Sequence, residues 1–319
     1  MARTRFNAHR LRGLSVLMKR GHCAPTVMET ILRVRRMENV GLIKLVAGMP
    51  GGIGNTGNEC GGVVSPIVLL GLDSGPDEVR DGLPLAIIRG QAFMRRFAER
   101  HSTLFCREIL GPKQRLLPCI KTVLDSPGIY AEAKADAIPE DGHEEQREAH
   151  RLLVAGLKGR GFHCAHAVLD RLPALASTHP ELRGGTTSFL GGTACAGLTC
   201  SALTAGIMIL GRELAEIENS YLRVMRMIVL MKTGGDAFAD RINAFNVIMN
   251  LGNRIALWFT GEYGGTLCRG ITGTDFSSPA DVRRFLDQRA AACEGIAAKV
   301  AAKVEQTLSA AHAAAILPH

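Results

Sequence analysis

The sequence predicts an all-α protein built of two similar helical bundles, and composition, apolar spacing and an internal repeat carry that prediction. The 319-residue chain is 46% hydrophobic and 21% charged, which is enough to bury a core and excludes disorder as the main state. It has 11 Phe, 3 Tyr and 1 Trp against abundant Ala, Leu, Met and Arg. That balance favours packed helices over the aromatic and β-branched strands of a sandwich or barrel. Few segments alternate with the period of a strand. Sliding the chain on itself by about 140 residues superposes two cysteine-bearing copies, the signature of a duplicated unit.

The helices follow in order. "APTVMETILRVRRMENVGLIKLVAG" (24–48) and "AHAVLDRLPALAS" (165–177) carry helical spacing, and helices begin after Cys60 and Cys200, running to Gly71 and to about Glu218. "LPLAIIRGQAFMRRFAERH" (83–101), "SYLRVMRMIVLMK" (220–232) and "AFADRINAFNVIMNLGNRIALWF" (237–259) continue the pattern. The last helix, 278–315, opens on a Ser-Pro start signal with Asp281 in its first turn. Residues 184–211 run without a charge for the length of a bilayer crossing, but glycine, serine and threonine fill much of that stretch. It reads as a glycine loop leading into a buried helix.

The repeat organises the cysteines. "MPGGIGNTGNECGGVVSPIVLLG" (49–71) lies over "FLGGTACAGLTCSALTAGIMILG" (189–211) without a gap, matching Gly51, Gly52, Gly57 and Cys60 to Gly191, Gly192, Gly197 and Cys200. His22-Cys23-Ala24 repeats as His163-Cys164-Ala165, and Cys106-Arg107 repeats as Cys268-Arg269. Cys119 and Cys293 pair more loosely, 13 and 25 residues after the preceding cysteine. Eight of nine cysteines thus form two parallel sets, Cys23/Cys60/Cys106/Cys119 and Cys164/Cys200/Cys268/Cys293, with Cys195 as an extra. The acidic stretch "PEDGHEEQREAH" marks the junction. The domains are read as 1–138, an acidic linker at 139–149, and 150–319.

Gly52, Gly54 and Gly57 spell G-x-G-x-x-G, a dinucleotide fingerprint that needs a strand before it and an acidic residue after it. "GLIKLVAG" and Asp73 offer both, but the second copy replaces Gly54 with Ala194 while keeping the cysteine. NAD binding is therefore not expected. Each loop cysteine is expected in the first turn of a helix, where free N–H groups and the dipole favour thiolate. Flanking glycines let backbone approach a bulky group beside the sulfur.

Paired C-x-x-C zinc knuckles are absent, nine cysteines without a signal peptide argue against disulfide staples, and four thiolates drawn from distant helices suit an iron–sulfur cluster. The pattern resembles the redox-active family named C_GCAxxG_C_C in both halves of the chain. The motif stands as "CGGVVS" (60–65) and "CSALTA" (200–205), departing at Gly62, at Ser201 and at the final glycine in both copies (Ser65, Ala205). A similar module occurs in split-Soret cytochromes c, and the resemblance implies a two-iron, two-sulfur cluster in each half, held by the two cysteine quartets; Cys195, which adds a C-x4-C with Cys200, is either a further candidate ligand or a small residue in a tight loop. No C-x-x-C-H occurs, so haem is not implied. His22 and His163 are candidates for a hydrogen bond to cluster sulfur. A thiol enzyme using Cys60 or Cys200, and a structural metal-binding interaction protein, remain alternatives.

Residues 1–36 hold nine Lys or Arg against Glu29 alone and so carry the whole net charge of +8. Such an arm suits an acidic redox partner or an anionic membrane surface. Without interleaved aromatics, nucleic acid is not expected. The chain is read as cytoplasmic, and homo-oligomer formation is left open.

Overall fold

The computed structural model of the chain describes residues 2–74, 82–113, 115–135, 144–216, 225, 229, 233 and 247–316. Among them the fold is all-α, and the only extended pairing is three isolated bridges. The first copy contains α1 (Ala2–Arg20), α2 (Cys23–Val34), α3 (Val40–Leu45), α4 (Gly61–Asp73), α5 (Gly82–His101), α6 (Cys106–Leu110) and α7 (Leu116–Ala135). The second contains α8 (Glu144–Gly159), α9 (His166–Leu169), α10 (Pro173–Thr178), α11 (Glu181–Thr186), α12 (Ser201–Leu214), α13 (Val247–Tyr263), α14 (Cys268–Thr272), α15 (Pro279–Gln288) and α16 (Ala290–Ile316). Most of the predicted helix at 220–232, and 237–246 of the next, lie outside the described residues.

Three predicted stretches are broken. Arg36 takes the left-handed conformation (φ 57°) and ends the first one, and Asn39 restarts it by accepting the Leu42 N–H at 3.1 Å. "GLIKLVAG" therefore enters α3 as helix and supplies no strand for a dinucleotide fold. Pro173 divides the second stretch, since proline cannot continue a helix from its N-terminal side. The last divides at Arg289 into α15 and α16, with Ser278 accepting the Asp281 N–H at 3.4 Å as the start signal predicted. The acidic junction resolves in part as helix, with 144–149 opening α8.

No helix among the described residues is long and apolar enough to cross a membrane. The uncharged stretch at 184–211 instead ends in α12, whose residues 202–210 are buried.

The compact units differ from a linear cut. One comprises Met1–Ile67, Ala92–Asp136 and Gly211–Arg254; the other comprises Val68–Gln91, Ala137–Leu210 and Ile255–His319. Each copy thus gives one segment to the unit that holds most of the other copy. Within the first unit α1, α2 and α7 pack on one another, and Ala47, Ala215 and Ile248 form a buried cluster flanked by Leu214 and Leu251. Gly211 approaches so closely that a Cβ there would stand 2.6 Å from the Lys44 carbonyl oxygen. Within the second unit α15 packs on α8 and α16 on α9. There Gly71 approaches in the same way, 2.8 Å from the Gly184 carbonyl oxygen. Gly71 and Gly211 are the repeat's own equivalents, so the exchange is reciprocal.

Candidate cluster-binding sites

In the first copy, backbone pairing sets two cysteines side by side. Glu59 and Phe105 form an antiparallel bridge, the Cys60 N–H donates to Leu104 O at 2.8 Å, and the Cys106 N–H donates to Asn58 O at 2.6 Å. Cys60 then immediately precedes α4, and Cys106 opens α6. Cys23 opens α2, and Cys119 is the fourth residue of α7. Four helix N-termini therefore present the four thiols. Cys60 stands one residue before its helix, not inside the first turn as predicted, and its sulfur accepts the Gly62 N–H at 3.4 Å, the place a capping side chain would take.

The second copy repeats this residue by residue. Thr199 and Leu267 form the bridge, the Cys200 N–H donates to Thr266 O at 2.8 Å, and the Cys268 N–H donates to Leu198 O at 2.6 Å. Cys200 precedes α12, Cys268 opens α14, and Cys164 lies two residues before α9. Cys293 is the fourth residue of α16, as Cys119 is of α7. The unequal spacing of the last pair is explained by α15, which occupies the extra residues. Cys164, Cys200, Cys268 and Cys293 line one small cavity, walled by Ile271, Phe276, Phe285 and Ile296.

All nine cysteines are free thiols. Burial pushes Cys23 and Cys164 up to about 12, and it also raises Cys60, Cys106, Cys119, Cys200, Cys268 and Cys293. Within each quartet the thiols also repel one another's charge: Cys106 feels Cys60, Cys119 and Cys23, while Cys268 feels Cys200, Cys164 and Cys293. Backbone N–H groups act in the opposite direction. Gly51, Ala24 and Gly61 donate toward Cys23, Gly62 and Val63 toward Cys60, Gly191 toward Cys164, and Leu203 and Ala202 toward Cys200. The expected thiolate at Cys60 and Cys200 does not survive burial, because desolvation outweighs the helix N–H groups.

Of the loop glycines, Gly51 and Gly191 direct their N–H groups at Cys23 and Cys164, while the others shape the loops. Left-handed backbone runs through Gly51, Gly52, Ile53, Gly54, Asn55 and Gly57, and through Gly191, Gly192, Ala194, Cys195 and Gly197. At Gly52 and Gly192 a Cβ would stand 2.5 Å from the backbone of Asn58 and Leu198, so no side chain fits. Arg107 and Arg269 lie across Gly57 and Gly197, their N–H groups bonded to those glycines' carbonyls at 3.0 and 2.9 Å. The His163 ring donates from Nε2 to Thr187 O at 3.1 Å, while its Nδ1 accepts the His166 N–H at 3.3 Å, so both nitrogens are committed to backbone. Burial pushes His22 down to about 4, keeping that ring neutral.

Two further residues had no local signal in the sequence. Asn253 Nδ2 donates to Gly54 O at 3.1 Å, and Gln91 Nε2 donates to Ala194 O at 2.9 Å. Positions 54 and 194 are equivalents, so each cysteine loop is tied by an amide from the other copy. Gln91 and Asn253 stand 162 residues apart, the offset at which Cys106-Arg107 repeats as Cys268-Arg269, and only that offset carried upstream could have pointed to them.

The thiols fit a thiolate-bound cluster on the chemistry of the donor set and on one cradle. At Gly61 a Cβ would stand 2.6 Å from Cys23 Sγ, so only glycine leaves that sulfur its place. Among the described residues no three His, Cys, Asp or Glu side chains gather tightly enough to hold a single metal ion. No curated protein and no solved structure matches the chain. A family model described as "Putative redox-active protein (C_GCAxxG_C_C)" matches residues 21–133 and again 162–307. Both quartets lie inside the matched regions, and the chain belongs to the C_GCAxxG_C_C family as a two-copy member.

Proposed function

We propose that the protein is an electron carrier or redox sensor holding one iron–sulfur cluster, of the two-iron, two-sulfur type, in each copy. Cys23, Cys60, Cys106 and Cys119 would hold the first, and Cys164, Cys200, Cys268 and Cys293 the second. The observation that carries this reading is the repeated quartet of thiols at or just before helix starts, with backbone N–H groups directed at the sulfurs of Cys23, Cys60, Cys164 and Cys200. Such groups stabilise thiolates once iron has displaced their protons and tune the potential of what they hold. A bound cluster supplies one-electron storage. The protein's own residues bind it, exclude water from the buried cysteines and leave Cys23 and Cys119 in the first site and Cys293 in the second, which are only half-buried, as the edges where electrons enter.

The same burial argues against an activated nucleophile, which needs a depressed thiol pKa and access to solvent. Cys60 is 1% exposed and its thiol is raised by burial. Free thiols throughout are consistent with a reducing, cytoplasmic setting. The basic N-terminal segment remains our candidate for docking an acidic partner, although Arg10, Lys19, Arg20 and Arg33 also pair with Asp125 or Glu29 inside the fold.

Anaerobic purification tests the reading: a coloured protein is expected, with iron and acid-labile sulfide in roughly equal amounts. Cys60→Ser and Cys200→Ser should each remove about half of both. A colourless protein, or one containing zinc in place of iron, overturns it.

A further inference from the structure

We propose that Asn55 is a positioning residue that donates a hydrogen bond to the Cys23 sulfur of the loaded first site, and that Cys195 replaces it in the second, making the first site the higher in potential. The proposal rests on the cluster reading above. It starts from an amide with nothing to bind. The Asn55 side chain is 3% exposed, and neither its oxygen nor its nitrogen has a partner among the described residues. Buried amides are rarely left so, because the lost hydration is not recovered. An unmet donor at this depth points to an acceptor outside the polypeptide's ordinary hydrogen-bonding groups.

Its place is defined from two sides. The amide lies on Gly51, where a Cβ would stand 2.0 Å from Asn55 Oδ1, and the Gly51 N–H is one of those directed at Cys23. Asn253 Nδ2 donates to Gly54 O at 3.1 Å and to Asn55 O at 3.4 Å, holding the backbone beneath the amide. Asn55 is left-handed (φ 57°), a conformation that asparagine tolerates better than most residues. Amide oxygen and nitrogen exchange places by a simple flip, so either face of the group is available to a sulfur.

The second copy supplies the contrast. Its equivalent is Cys195, also left-handed (φ 60°) and also buried. Cys195 lies within electrostatic reach of Cys164, the equivalent of Cys23, and of Cys268. A thiol is a weak donor where an amide is a good one. Hydrogen bonds to a ligand sulfur favour the more negative, reduced state and raise the potential.

Reciprocal exchange tests this, because each copy already tolerates the residue tested in the other. Potentiometric titration of the anaerobic protein, followed by electron paramagnetic resonance, should give two one-electron waves in the wild type. In Asn55→Cys the upper wave should fall, the reduced-to-oxidised ratio at fixed potential dropping about tenfold, or ~59 mV for one electron. In Cys195→Asn the lower wave should rise by a similar amount. If Asn55→Cys fails to fold, Cys195→Asn carries the test alone. Full iron and sulfide with a single wild-type potential, or with unmoved waves in the variants, overturns this proposal and leaves the cluster reading intact. A wild-type protein without iron and sulfide overturns both.

Discussion

Gly61 is where one hydrogen atom decides whether a site exists. Alanine is normally welcome in the first turn of a helix, but here its methyl would stand 2.6 Å from Cys23 Sγ and 2.8 Å from the Ala24 Cβ, with the Ala24 backbone nitrogen at 2.9 Å. Backbone cannot swing aside as a long side chain can. Gly61→Ala is expected to lose the first site, halving iron and sulfide per chain by elemental analysis. Gly159→Ala provides the control, since nothing lies within 4 Å of a Cβ there and the residue is helical. It should leave the metal content unchanged and raise stability by at most about 1 kcal/mol. The second copy meets the same problem differently: Ser201 stands where Gly61 does, and its hydroxyl donates to Gly192 O at 3.1 Å.

At the scale of a helix, α2 carries Cys23 at its start and a buried charge in its middle. Glu29 pairs with Arg20, with Arg33 at 2.6 Å and with Lys19 at 3.8 Å. Burial alone would raise its carboxyl, but the hydrogen bond and charge of Arg20, then Arg33 and Lys19, hold it below the ordinary 4.5. A carboxyl lower in the folded than in the unfolded chain contributes stability that is fully present above 4.5 and is lost as pH falls through the folded value. Urea unfolding from pH 7 down to pH 3 should therefore show stability declining below pH 4.5. Glu29→Gln should cost about 3 kcal/mol at neutral pH, since it strands a buried Arg20, and should flatten that decline.

Sequence periodicity revealed α2 because its apolar residues recur at helical spacing. The breaks at Arg36 and Arg289 were hidden, because charge and apolar period continue through both. The cysteine quartets were legible in full, since duplication printed them twice with their glycines. Asn55, Gln91 and Asn253 were not, because their roles depend on pairings made by the folded chain: Gln91 and Asn253 each reach a loop of the other copy.

At the scale of the molecule, the two compact units and the two sequence copies do not coincide. Gly211–Arg254 completes the unit holding most of the first copy, and Val68–Gln91 completes the other. A fragment 1–138 lacks Asn253 and the Ala215–Ile248 side of a buried cluster, and a fragment 150–319 lacks Gln91 and Gly71. Each fragment alone should therefore be poorly folded by circular dichroism and amide exchange. Mixed or co-expressed, they should recover helicity together, as domain-swapped partners do.

The amides of Gln91 and Asn253 bear on how the gene can change. A substitution near residue 253 is inherited with the second copy, yet its effect falls on the loop carrying Cys60; one at residue 91 falls on the loop carrying Cys200. Deleting either half removes an amide that holds the other half's cysteine loop. A change at residue 91 or 253 is therefore read out at a site coded more than 100 residues away.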